Sequence, residues 1–171
     1  MFGIALLKKP EHKMIKYMKP LKMFQETLKR TIDMPQSVFI GFNVTDKNVS
    51  LAVSDYCYLR AYGYDVLPRD QTLLDNLVSK VQDCGFDLEG IIVAGKYHDS
   101  PPMNIHNLIH DLCKKGKFQS LKYACYTDNV TSPNAKYLSH ALEDSIDISL
   151  VVQMLQANLD VFNTLVERHK K

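Results

Sequence analysis

No stretch of this 171-residue sequence stays apolar for the length that a bilayer crossing needs, and its N-terminus has no signal-peptide pattern. Membrane insertion and secretion are therefore not expected. The four cysteines, Cys57, Cys84, Cys113 and Cys125, include no C-x-x-C pair, so free thiols in a reducing compartment are the expectation. Nothing resembles a phosphate-binding glycine loop, a dinucleotide fingerprint or a nucleophile elbow, which removes the usual signatures of nucleotide hydrolases, dehydrogenases and serine hydrolases. A broadly basic body is missing too. Residues 1–36 hold eight Lys and Arg against three Asp and Glu, a net +5, whereas the rest holds thirteen against sixteen, a net −3. A polyanion would find its main electrostatic contact in the N-terminal arm, assisted by Lys114, Lys115, Lys117 and Lys122, and deleting residues 1–36 would be expected to weaken binding.

What is present is a globular composition, 46% hydrophobic and 23% charged, long enough to bury a core without disulfides or metal. The organising stretch is Val38 to Asp55. Apolar residues fill both faces of Val38–Val44 and Val49–Val53, with the polar turn Thr45-Asp46-Lys47-Asn48 between them. A hairpin follows, its first strand central in a sheet covered on two sides. A third strand is predicted over Tyr58–Leu67. Next come a helix carrying Leu73, Leu74, Leu77, Val78 and Val81, capped by Asp70 or Thr72 and stopped at Gly85, and an apolar strand over Gly90–Ala94. A helix with Ile105, Leu108, Ile109 and Leu112 runs from Pro101-Pro102 to Gly116. A fifth strand spans Leu121–Tyr126, a helix runs from Ser132-Pro133 to about Leu142, and a last helix covers Ser145–Arg168. Ahead of all these, Leu21–Ile32 is an amphipathic helix with Met23, Phe24, Leu28 and Ile32 as its apolar positions. The expectation is an α/β fold built on a five-stranded mixed sheet, order 3-2-1-4-5 in the numbering of these predicted strands, with helices on both faces. Residues 1–36 read as a basic arm with a short helix, first of all a solubilising extension, with nucleic-acid contact and organellar targeting as alternatives, and residues 37–171 as the domain.

The hairpin supplies Gly41, Asn43, Thr45, Lys47, Asn48, Ser50, Ala52, Ser54 and Asp55 at the positions of a motif that runs approximately G-x-D-x-G-x-K-R-x-G-x-A-x-S-D. Further on, Gly95-Lys96-Tyr97 follows the fourth predicted strand, and Thr127-Asp128-Asn129-Val130-Thr131-Ser132 leads to Ala135 after the fifth. The last helix carries Asp147, Met154, Leu155, Gln156, Leu159 and Asp160. On these residues, over roughly positions 38–160, the chain resembles the YqgF family of ribonuclease H-like proteins, which are taken to resolve Holliday junctions or to mature the 5′ end of small-subunit ribosomal RNA. The resemblance implies a ribonuclease H-like fold and a site in which Asn43, Asp128 and Asp147 occupy the catalytic positions. Asp128 and Asp147 would then be the ligands of Mg²⁺ or Mn²⁺, and Lys47, Lys96, Thr131 and Ser132 would contact nucleic acid. It also implies structured RNA or branched DNA as partner. An organelle is one compartment compatible with it, alongside the cytoplasm.

Asn43 stands where the motif has its first aspartate. An amide oxygen can ligate a hard cation but brings no charge to offset two metal ions, so cleavage is expected to be weakened or lost. The alternative is a non-catalytic ribonuclease H-like binding or scaffold module. Each residue also has a plainer explanation. Asp147 suits a helix first turn and Asp128 a loop, while Asn43 can hydrogen-bond a neighbour. His106, His110 and Cys113 share a helix face at i, i+4 and i+7 and, with His98, form a candidate zinc set. Histidines beside an apolar stripe are the commoner case.

Overall fold

The computed structural model describes residues 16–30, 37–84, 87–94, 103–116, 118, 121–126 and 146–170. These form a mixed α/β fold. A six-stranded sheet contains β1 (Lys16–Tyr17), β2 (Ser37–Val44), β3 (Asn48–Ser54), β4 (Ala61–Pro68), β5 (Asp87–Ala94) and β6 (Lys122–Tyr126), in spatial order β1-β6-β5-β2-β3-β4. The described helices are α1 (Pro20–Arg30), α2 (Leu73–Asp83), α3 (Met103–Gly116) and α4 (Ile146–His169).

Five of the strands are the predicted ones in the predicted order, with β2 central. The expected strand count is corrected by β1, which pairs in parallel with β6 through Lys16 N–H to Leu121 O and Met18 N–H to Tyr123 O. Two residues held by main-chain bonds leave no periodic side-chain signal, so nothing in the sequence announces this strand. The third strand begins later than predicted. Residues 55–60 are a turn instead, in which the Asp55 carboxylate accepts the N–H groups of Leu59 and Arg60 and Tyr58 adopts a positive φ of 58°. The predicted helix from Ser132 lies outside the described residues.

Strand alternation sorts the core into two layers. Val38, Ile40, Phe42, Leu51, Ile91, Val93 and Tyr123 face α2 and α3, which bring Leu77, Val81, Ile105, Ile109 and Leu112. Phe39, Ala52, Ile92 and Ala124 face α1 and α4, which bring Met23, Phe24, Leu28, Val151, Leu155, Leu159 and Phe162. The amphipathic helix of the N-terminal segment therefore packs against the sheet and buries its apolar stripe in the core.

A polar cluster fastens that layer. Between β2 and β5, Val38 pairs with Leu88 and Phe39 with Gly90, so Glu89 is the extra residue of a bulge. Only 3% exposed, its carboxylate accepts from Thr27 Oγ1 at 2.7 Å and Ser37 Oγ at 3.2 Å. Ser37 Oγ also hydrogen-bonds the hydroxyl of buried Tyr58. One carboxylate thus ties α1 to β2, and through Ser37 to the β3–β4 turn.

Candidate functional site

The position of α4 over the sheet defines the site. Gly41, Ala52 and Gly63 stand in register across β2, β3 and β4. This row of small residues lets the helix approach closely. A Cβ on Gly41 would lie 3.2 Å from Val151 Cγ2 and 3.3 Å from Leu155 Cβ, and one on Gly63 would lie 2.8 Å from Ile148 Cγ2. Toward the start of β2 the same helix packs Phe162 against Phe39, centroids 6.4 Å apart. The middle of α4 and the turns after it are pinned to the β3–β4 turn by Gln156, which accepts from Ala61 N–H and donates to Leu59 O, and by Asn163, which donates to Tyr58 O.

One row further along β2, by about 7 Å, Asn43 pairs with Ser50. Asn43 is on the α4 side by alternation from Phe39 and Gly41. Gly41 faces Val151 and Leu155 while Phe39 faces Phe162, so β2 and α4 run in opposite directions and this row lies past Gly41 toward the N-terminal end of α4. Asn43 is half-buried and has no side-chain hydrogen bond among the described residues. Ser50 is fully buried, and its Oγ has no hydrogen-bond partner among the described residues. A buried hydroxyl without a partner is uncommon and costs about 1–3 kcal/mol. Ser50 is the residue that sequence reasoning passed over. Its face of β3 also carries Asn48 and Ser54, so in the sequence it had no signal beyond its place in the hairpin motif.

At the same end of the sheet, Lys47 is exposed in the β2–β3 turn, and Arg69 reaches that turn by hydrogen-bonding Thr45 O at 3.0 Å. Lys96, Asp128, Thr131 and Ser132 lie outside the described residues, as does the side chain of Asp147. The expected convergence of Asn43, Asp128 and Asp147 therefore lies outside what the described residues test.

Divalent cations such as Mg²⁺ and Mn²⁺ take oxygen ligands, and carboxylates supply the compensating charge. The described part of this row offers an amide and a hydroxyl, both neutral. Among the described residues no group of three or more His, Cys, Asp or Glu is placed to hold a metal. These donors alone do not fit a divalent ion. The candidate zinc set is likewise not assembled by its described members. His106 Nδ1 is hydrogen-bonded to Tyr123 OH at 2.6 Å, Cys113 Sγ contacts Phe118 O at 3.0 Å, and exposed His110 lies 3.7 Å from Asp111. His98 is outside the described residues.

No family model and no curated protein matches the sequence. Solved structures similar to the chain include the fowlpox virus Holliday junction resolvase, at 11% identity and a TM-score of 0.45 over 72% of this chain and 99% of that one. Another is T. thermophilus RuvC in complex with a Holliday junction substrate, at 13% identity and a TM-score of 0.34 over 71% and 79%. A third, Archaeoglobus fulgidus Pelota, is 12% identical with a TM-score of 0.38 over 74% and 38%. At these scores the overlays transfer no residue role. Among the described residues no helix is long and apolar enough to cross a membrane.

Proposed function

We propose that this chain is a divergent ribonuclease H-like protein of the YqgF type that engages structured nucleic acid, either precursor ribosomal RNA or branched DNA. Its ancestral role is Mg²⁺-dependent endonucleolytic cleavage, and that activity is weakened or lost. The observation that supports this is the Asn43–Ser50 row. It stands toward the end of the central strand, on the face that α4 covers, where the resemblance sets the first carboxylate of a metal site. An amide with no described partner and an orphaned hydroxyl are what remains when the charged ligand is replaced and its neighbours are not rebuilt around a new contact. The same neutrality favours the second reading, a ribonuclease H-like module that binds or scaffolds without cleaving.

Calorimetric titration with Mn²⁺ and Mg²⁺, alongside cleavage assays on a four-way DNA junction and a precursor ribosomal RNA, tests both readings. The native protein is expected to cleave neither substrate. Asn43→Asp should bind Mn²⁺ more tightly than the native chain, with little gain in turnover, because Asn48, Ser50 and Asn129 have also replaced motif residues. Robust metal-dependent cleavage by the native protein, abolished by Asp147→Asn, would restore a working nuclease. Equal metal affinity of the native and Asn43→Asp proteins would remove residue 43 from the site.

A further inference from the structure

We propose that Lys16, Lys19, Lys22, Lys29 and Lys122 form the surface by which this protein holds the phosphate backbone of nucleic acid. This locates the contact that the nucleic-acid reading above requires, and it rests on that reading. The five lysines come from segments about a hundred residues apart. The β1–β6 pairing brings them together by setting Lys16 beside Lys122. Met23, Phe24, Thr27 and Leu28 turn one side of α1 into the core, while Lys22, Glu26 and Lys29 line the other, with Lys19 just ahead of the helix. Lys22 and Lys29 are about 10 Å apart along the axis.

Glu26 reports the local charge. Its carboxyl is held below the usual glutamate range, first by the hydrogen bond from Lys122 at 3.0 Å, then by the charges of Lys122, Lys16 and Lys22. Three cations around one acid leave a positive surplus. Lys80 and Lys115, by contrast, each have a close acid, Asp65 at 2.9 Å and Asp75 at 2.5 Å. Lys16, Lys19, Lys22 and Lys29 are exposed with no acid within ion-pair distance among the described residues. An anionic membrane would also attract such a stripe, but an interfacial helix must insert an apolar face. The apolar face of α1 is already buried against the sheet. A hydrated polyanion, recognised through its phosphates, is the partner this surface fits.

The test is binding of a fluorescent four-way DNA junction and a structured RNA hairpin across a salt series. It compares the native chain, the variant Lys16→Gln/Lys19→Gln/Lys22→Gln/Lys29→Gln, and Lys80→Gln on α2 at the opposite face, where the charge is paired with Asp65. All four lysines in the first variant are exposed, so circular dichroism and the melting temperature should confirm an intact fold. Counterion release predicts that the slope of log K against log salt falls by about 3, with affinity lower by about a hundredfold or more near ~0.1 M salt. The α2 variant should remain close to native. Native binding that the four substitutions leave unchanged would overturn the inference while sparing the functional reading. No binding by the native chain would defeat both. Lysine-dependent binding to phosphatidylserine vesicles, with none to nucleic acid, would assign the surface to a membrane and overturn the proposal.

Discussion

Replacing Gly41 by alanine tests whether α4 is seated on the sheet as closely as the site requires. The added Cβ would stand 3.2 Å from Val151 Cγ2, 3.3 Å from Leu155 Cβ and 3.3 Å from Met154 Cε. Carbon pairs settle at about 3.5–4.0 Å, so each contact is a few tenths of an ångström too short. The methionine methyl can swing aside. Val151 Cγ2 and Leu155 Cβ cannot, because both residues are fully buried and their atoms are fixed close to the helix backbone. The helix must therefore move. Overpacking of this kind costs about 1–3 kcal/mol, and alanine recovers about 0.4–1 kcal/mol by restricting the unfolded chain. The net expectation is a loss of about 1–2 kcal/mol, or roughly 2–8 °C in melting temperature for a domain of this size. Urea unfolding followed by circular dichroism measures it through the midpoint at constant slope. Gly63→Ala probes the same seat nearer the start of α4: its added Cβ would stand 2.8 Å from Ile148 Cγ2, a methyl on a branched carbon held to the helix backbone as Val151 Cγ2 is, so it too should lower stability. A Gly41→Ala protein as stable as native would refute the close seat of α4 on the sheet.

Three further outcomes follow from the described geometry. Glu89→Gln keeps the shape but gives one of the two acceptor positions facing Thr27 and Ser37 to an amide donor; a loss of about 1–3 kcal/mol and faster hydrogen exchange over residues 20–30 are expected, and native-like exchange there would show that the cluster does not hold α1. Alkylation with iodoacetamide, read by mass spectrometry, should label exposed Cys57 first and Cys125 last, because burial pushes the Cys125 thiol up to about 12; early labelling of Cys125 would contradict its burial in the sheet. Lys122→Met should lower stability at neutral pH and progressively less in acid. Since the Glu26 carboxyl is depressed, the pair's contribution is present above the usual glutamate range and disappears as pH falls through the lowered value; a stability difference that persists in strong acid would mean Lys122 acts by packing alone.

The parts of the fold legible in the sequence were those with a one-dimensional signal. The β2–β3 hairpin could be read because both faces of β2 are buried and its turn is polar, and α2, α3 and α4 because one face of each recurs at helical spacing. Signals carried by main-chain pairing or by distant partners were silent. Glu89 illustrates this. A charged residue beside Asp87 reads as loop, and the predicted strand accordingly began at Gly90, yet Glu89 is buried within β5 because Thr27 and Ser37, 62 and 52 residues away, turn hydroxyls toward it. At the candidate site, Asn43 stood out as a polar residue in a central strand. Ser50 did not, because its burial and its lack of a partner emerge only when β3 is paired with β2 and covered by α4. Two other matches to the hairpin motif have structural work of their own: Ser54 Oγ accepts from Phe39 N–H, and Asp55 organises the β3–β4 turn. The resemblance at those positions is accounted for by the fold and adds nothing to the case for chemistry.

The charge split between the two ends of the sequence suggests removing residues 1–36 and measuring what binding is lost. The structure changes what that experiment would mean. Met23, Phe24 and Leu28 are in the core, Thr27 donates to buried Glu89, and Lys16–Tyr17 completes the sheet edge beside β6. Truncation would expose the α1 face of Phe39, Ile92 and Ala124 and leave Glu89 without one of its donors, so weaker binding by the shortened protein would report unfolding as readily as lost charge. Neutralising the exposed lysines separates the two, because their side chains leave the packed face of α1 untouched. If electrostatic contact and folding are independent, the four-lysine variant should lose affinity and salt dependence while its urea midpoint stays near native, and Glu89→Gln should lower the midpoint while its salt slope is unchanged. Parallel losses in both properties for both variants would show instead that the lysine surface holds nucleic acid only when α1 is locked to the sheet, which would make the buried carboxylate a condition of binding.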